Sequence, residues 1–289
     1  MLETVRSPQN AKLKTARAIS AGRERALLLL DGAHLLDDAL SAATVRGIAM
    51  GLAPTWVLVA EERQNEPEMV DLLERAHSAG AEIGACEAKL LAELSELDSP
   101  TGVLAVCPRP QFDLSAVMSS LQEGELMLVC AGVQEPGNVG AIVRVAAGLG
   151  VAAVICLQGC ASPWSPRALR GASGTTLRLP VGERISVEQL VESAHQHGVE
   201  LWSAEADGEA LSELSKSPRT APIALLLGGE GGGVPAEIEA ACVRRISIPL
   251  TLGVESLNVA TAAAVLSWAL LASGELHHRD EHLEVNTES

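Results

Sequence analysis

The apolar pattern is densest near the C-terminus. Val259 to Leu271 carries Ala, Val and Leu on nearly every helical face and meets no breaker until Gly274, which predicts a helix buried on almost all sides. Polar residues Glu255, Ser256 and Asn258 gather at its mouth. A helix start offers unpaired backbone N–H groups, so these side chains serve either as an N-cap, with Ser256 the candidate, or as part of a ligand site. Arg244–Ile248 before them reads as a strand that Pro249 ends.

Upstream, short apolar runs alternate with helical periods. Strands are expected at 126–130, 151–156, 176–179, 200–202 and 223–227, and helices at 138–149, 164–171, 187–197 and 235–241. Such alternation predicts an α/β fold whose sheet is mostly parallel. Residues 1–107 form a separate, smaller α/β pattern. It has helices at 8–22, 33–45, 66–78 and 88–94 and strands at 26–30, 56–59 and 102–106. Pro108-Arg109-Pro110 reads as a stiff linker. The second domain then spans 112–274, and 275–289 is a polar, acidic tail.

Composition narrows the function classes. The 289 residues carry a formal charge of −16 and one Phe, no Tyr and four Trp. A generally basic nucleic-acid coat and aromatic base-stacking platforms are excluded as main modes. A local basic face remains: residues 1–30 hold Arg6, Lys12, Lys14, Arg17, Arg23 and Arg25 against Glu3 and Glu24. Six cysteines lie mostly in apolar runs without a C-x-x-C pair, which suits a reduced, cytoplasmic setting. The apolar stretch 139–157 is broken by Arg144, Gly148 and Gly150, so no membrane span is expected, and the N-terminus is no signal peptide.

Three stretches carry candidate chemistry. Leu225–Pro235 is a strand running into a glycine loop that holds one acid, Glu230. No register of it gives G-x-G-x-x-G, and Gly148–Ala153 matches G-x-G-x-x-A but precedes a strand, so nicotinamide and triphosphate sites are not indicated. Asn138 and Arg144 share the helix after the 126–130 strand; an arginine on so apolar a helix needs an anionic partner if buried, and Glu230 is the candidate. Arg167, Arg170 and Arg178 stand among small residues as candidate backbone contacts to nucleic acid. His195/His197 and His277/His278/His282 lack a ligand set, so no metal is expected.

Together, Asn138-x-Gly-x-x-x-Arg144, Gly228-x-Glu230-Gly-x-Gly233 and Ile248-Pro249 followed by Ser256-Leu-Asn258-Val resemble the SpoU (TrmH-like) branch of the SPOUT RNA methyltransferases, over about residues 126–272. The resemblance implies a trefoil-knotted α/β methyltransferase domain that binds S-adenosylmethionine through backbone groups of Gly228, Ile248 and Leu257. It implies methyl transfer to a ribose 2′-hydroxyl of structured RNA, with Arg144 the central catalytic residue and Asn138, Glu230, Ser256 and Asn258 shaping the site. It also implies a homodimer. Arg170-Gly-Ala-Ser173-Gly departs from the family's R-A-S-x-G by one position, Gly229 stands where many relatives have Asn or Ala, and Leu250 where many have Met. Ser-x-x-Asn near the start, Asp31-Gly32 (Glu-Gly in the family) and Ser99–Val106 resemble the ribosomal-protein-like substrate domain of such enzymes, which favours ribosomal RNA over tRNA. The rival readings are a tRNA ribose methyltransferase and a catalytically silent RNA-binding or ribosome-assembly protein.

Overall fold

The structure, a computed structural model, describes residues 4–41, 52–95, 100–214, 221–229 and 233–272. The order is β1 (Thr4–Val5), α1 (Ala11–Ser20), β2 (Leu27–Asp31), α2 (Ala33–Ser41), β3 (Trp56–Ala60), α3 (Pro67–Ser78), β4 (Glu82–Cys86), α4 (Ala88–Ala92) and β5 (Val103–Pro108). Next come α5 (Leu114–Ser119), β6 (Leu126–Ala131), α6 (Pro136–Leu149), β7 (Ala153–Leu157), α7 (Pro166–Gly171), β8 (Val181–Ile185) and α8 (Val187–His197). The rest is β9 (Glu200–Ala210), α9 (Leu211–Leu214), β10 (Ile223–Gly228), α10 (Ala236–Glu239), β11 (Arg244–Ser247) and α11 (Val259–Ala272). Contacts divide the chain into two compact units: Met1–Gln111 with Trp164–Arg178, and Phe112–Pro163 with Leu179–Ser289.

The first unit is built on a five-stranded sheet in the order β1-β4-β3-β5-β2, parallel from β1 to β3 and antiparallel on both sides of β5. α1 starts where Asn10 accepts a hydrogen bond from Lys12 N at 2.9 Å. Its Leu13, Ala16 and Ile19 are buried and join Leu29, Leu58, Leu104 and Trp56 in the core, while Lys14 is exposed. Each fully buried leucine among them contributes about 1.5–3 kcal/mol. Arg109 N donates to Ala26 O at 2.8 Å, so the expected linker at 108–110 is still tied to the sheet edge.

The second unit holds a six-stranded, wholly parallel sheet in the order β11-β9-β10-β6-β7-β8. β6 is buried along its whole length, as a strand covered on both faces must be. α8 lies where the pattern predicts it, with a Ser186/Gln189 capping box and Gly198 at its end.

Some expectations are corrected. Thr176–Leu179 is not a strand: Ser173 (φ 49°) and Gly174 (φ 80°) turn the chain left-handed, and a short 3-10 turn follows at Thr175–Leu177. The strand there is β8, beyond Pro180, and its Gly182 packs so closely on the Phe112 ring that a Cβ would come within 2.6 Å. α11 is not covered all round: Val265 is 38% and Trp268 54% exposed. β4 and α5 were not expected at all, because Ile83-Gly-Ala-Cys86 and Leu114–Ser119 are too short to show a period.

Candidate active site

Because the second sheet is wholly parallel, every strand delivers its carboxyl end to the same edge, where open α/β sheets bind ligands. β6 leaves the sheet through Gly132, whose φ of 80° places it in the left-handed region, and whose N–H donates to Cys160 Sγ at 3.1 Å. Glu135 then caps α6 by accepting from Gly137 N at 3.3 Å, and Pro136 occupies the first turn without loss of a helical bond. Asn138 follows in that turn. It lines a hollow of about 230 Å³ with Gly132, Val133, Gln134 and Glu135.

α11 begins at Asn258, not at Ser256. Asn258 Oδ1 accepts from Ala260 N at 2.9 Å and Thr261 N at 3.4 Å, and its Nδ2 donates to Asn138 Oδ1 at 3.0 Å. One side chain therefore caps one helix and ties it to the first turn of another. Ser256, released from the capping role, faces the neighbouring cavity.

That cavity measures about 380 Å³ and is lined by Gly228, Ile248, Ser256 and Leu257 together with Glu205, Glu255 and others. The three residues expected to hold a cofactor through their backbones thus converge. At Gly228 any Cβ would collide with Gly233 backbone, and at Gly229 with Gly132 O, so the glycines are required by the close approach of chain. Gly229 N donates to Ala131 O at 2.9 Å and pairs with Gly233 in a lone bridge. Among the described residues the lining contains two carboxylates and no Lys, Arg or His. Glu205 Oε1 is buried with no hydrogen-bond partner among the described residues. Burial pushes the Glu205 carboxyl above its usual range; Val234 N–H opposes this, Glu239 adds to it, and Arg245 and Asp207 act oppositely with smaller effect. A cavity of this size with a bare glycine wall and an open acceptor fits a nucleoside-bearing cofactor.

Arg144 is exposed, with no ion pair or hydrogen bond among the described residues. It does not line the cavity of its own chain. Six residues along a helix rotate it by about 120° from Asn138. Glu230, its expected partner, lies outside the described residues, as do His277, His278 and His282. Arg178 is bound to Asp38, and Arg167 and Arg170 are engaged within the chain. His197 Nε2 sits 2.9 Å from Ser115 Oγ.

Sequence reasoning missed Glu205 as a cavity residue and placed Glu255 at the mouth of the last helix without counting it among the site residues. Glu255 precedes Ser256 in the motif and was in view. Glu205 was hidden because the strand was expected to stop at Trp202, whereas β9 runs to Ala210.

The SpoU rRNA Methylase family matches residues 125–268. An uncharacterized tRNA/rRNA methyltransferase of Synechocystis is 31% identical over 268 residues, covering 92% of each chain. The 23S rRNA (guanosine(2553)-2′-O)-methyltransferase RlmP of Bacillus subtilis is 27% identical, covering 93% of this chain and 99% of that protein. Among solved structures, the SpoU methyltransferase AviRb of Streptomyces viridochromogenes in complex with AdoMet superposes with a TM-score of 0.78 at 25% identity, over 91% of this chain and 98% of that one. The shared architecture, the converging motif loops and the Synechocystis relative agree, and the chain belongs to the SpoU rRNA methylase family.

Proposed function

We propose that the protein transfers a methyl group from S-adenosylmethionine to a ribose 2′-hydroxyl of ribosomal RNA. The observation that carries this is the convergence of Gly228, Ile248 and Leu257 on one cavity, next to Asn138 hydrogen-bonded to Asn258. The cofactor, when bound, supplies an electrophilic sulfonium methyl. Everything else falls to the chain. Backbone groups around Gly228, Ile248 and Leu257 hold the adenosine, and Ser256 fixes the mouth of the cavity. Asn138 and Asn258 keep α6 and α11 in one arrangement.

Arg144 acts as a cation. A guanidinium stays protonated, so it orients the ribose-phosphate and stabilises charge growing on the 2′-oxygen without taking the proton itself, which passes to solvent water. Glu230 completes the set as its partner. The rate comes largely from positioning, since an in-line displacement at a methyl depends on approach geometry.

Residues 112–274 form a trefoil-knotted methyltransferase domain, as the family resemblance implies; in support, β10 returns between β9 and β6 in the parallel sheet. It works as a homodimer in the cytoplasm, with a second copy covering the exposed Val265 and Trp268 of α11. Residues 1–107 form the RNA-binding domain, with Lys14 and its basic neighbours on α1 contacting phosphates. Ribosomal RNA is favoured over tRNA by the name of the Bacillus relative, whose match spans this N-terminal part as well.

The test is transfer of radiolabelled methyl from S-adenosylmethionine to total RNA from cells lacking the protein. Label confined to the ribosomal fraction is expected. Label in tRNA alone would move the substrate to tRNA, and none in either fraction would defeat the proposal.

A further inference from the structure

β9 does something unusual beside the cavity. Its pairing with β11 passes from Ser203↔Arg245 straight to Glu209↔Ile246, so Ala204–Gly208 bulges out between two successive residues of its neighbour. The bulge is built in. At Gly208 a Cβ would come within 2.6 Å of the Ile246 carbonyl carbon, so no side chain fits. Asp207 pairs with Arg245, which also reaches Glu239 at 3.3 Å. The result puts Glu205 on the cavity wall, one residue past Ala204, whose partner Leu227 ends the β9–β10 ladder.

The glycine turn follows β10, and the acid follows β9, the strand paired with it. In open parallel sheets, an acid at the end of the strand beside a glycine-rich turn is well placed to accept hydrogen bonds from a nucleoside's ribose hydroxyls. Glu205 is prepared for such a task. Val234 N–H bonds to the carboxylate, while Oε1 is enclosed and has no partner among the described residues. A buried acceptor left open costs stability unless a ligand fills it. The cavity holds a second acid, Glu255, which is exposed on the loop before α11; Glu205 is the one drawn into the wall.

We propose that Glu205 is a cofactor-positioning residue that accepts hydrogen bonds from the ribose diol of the bound adenosine. This rests on the cofactor reading above and goes beyond it, since Gly228, Ile248 and Leu257 hold the adenosine through backbone groups and leave its diol to a side chain. Glu205 fixes how far the adenosine enters and thereby where the sulfur comes to rest.

The test is a calorimetric cycle on the full-length protein. S-adenosylhomocysteine and its 2′-deoxy and 3′-deoxy analogues are titrated into wild type and Glu205→Met, which keeps length and loses the acceptor. Wild type is expected to bind the parent about ten- to a hundredfold more tightly than at least one deoxy analogue, the range of a charged hydrogen bond. Glu205→Met should bind all three alike. Comparing ligands within one variant keeps the readout independent of any loss of folded protein. Wild type that binds parent and both analogues equally, or a Glu205→Met protein that still discriminates, overturns the assignment. So does Glu205→Gln that weakens S-adenosylmethionine but not S-adenosylhomocysteine, because the carboxylate would then read the sulfonium charge. Wild type that binds no S-adenosylhomocysteine at all defeats the cofactor reading itself, a result separable from the others.

Discussion

Asn258 Nδ2 donates to Asn138 Oδ1 at 3.0 Å, joining residues 120 positions apart in sequence. The same Asn258 supplies the acceptor that starts α11. Its substitutions should therefore separate two roles. Asn258→Asp keeps the cap but loses the donor, at a cost of about 1 kcal/mol. Asn258→Ala loses both and should cost more, the cap alone being about 0.5–2 kcal/mol. Chemical denaturation of the two variants and of Asn138→Ala checks the ranking; equal stability of Asn258→Ala and wild type would show that the contact does not hold the helices.

Gly229 faces Gly132 O with no space for a side chain. Gly229→Ala should lower stability by about 1–3 kcal/mol through overpacking. It should also weaken binding of S-adenosylhomocysteine, because the wall of the cavity must shift. A melting curve and a binding titration together read the effect, and an unchanged pair would mean that the loop accommodates a methyl freely.

The exposed stripe on α11 carries its own expectation. If the proposed dimer forms through this stripe, Trp268→Lys should turn it into monomers in analytical ultracentrifugation while leaving the far-ultraviolet circular dichroism unchanged, since Trp268 is 54% exposed within one chain. A variant with the same sedimentation as wild type would place the subunit contact elsewhere.

Buried thiols set the alkaline limit. Burial raises the Cys107 thiol to about 12; burial, then Glu87 and Glu61, raise Cys86 to about 11; and burial raises Cys242 to about 11. In the unfolded chain these groups lose protons near pH 8.5, so the unfolded state binds fewer protons above that point. Stability is then fully present below about pH 8.5 and falls as pH rises through the folded values. Thermal melts across the alkaline range should show this decline, and Cys107→Ala should flatten it. A slope unaffected by Cys107→Ala would assign the loss to other groups.

Much of the second unit was legible from its residues, and the reasons are local. The helices expected at 187–197 and 138–149 end where Gly198 and Gly150 stand, because breakers act within one turn. The convergence of Gly228, Ile248 and Leu257 was legible only through the family resemblance; nothing local says that three loops meet. Glu205 was not legible at all. Its position depends on the bulge of β9 past β11, a pairing between distant segments. The cap at Asn258 was not singled out, Ser256 being the candidate if the mouth held an ordinary N-cap; both are good caps, and only the start of helical geometry chooses between them. The false strand at 176–179 arose because Leu177 and Leu179 alternate with polar residues, while Gly174 had already set a turn.

The central claim is methyl transfer to a ribose 2′-oxygen with Arg144 as the charge-stabilising cation. The most direct measurement uses ribosomal RNA labelled by the enzyme from radioactive S-adenosylmethionine and then hydrolysed in alkali. A 2′-O-methyl group blocks cleavage at its own phosphodiester, so the label should appear in alkali-resistant dinucleotides. Arg144→Lys should lose most of that label, about tenfold or more, while binding S-adenosylhomocysteine as tightly as wild type. Label released in mononucleotides, which marks a methylated base, or full labelling by Arg144→Lys, would contradict the account.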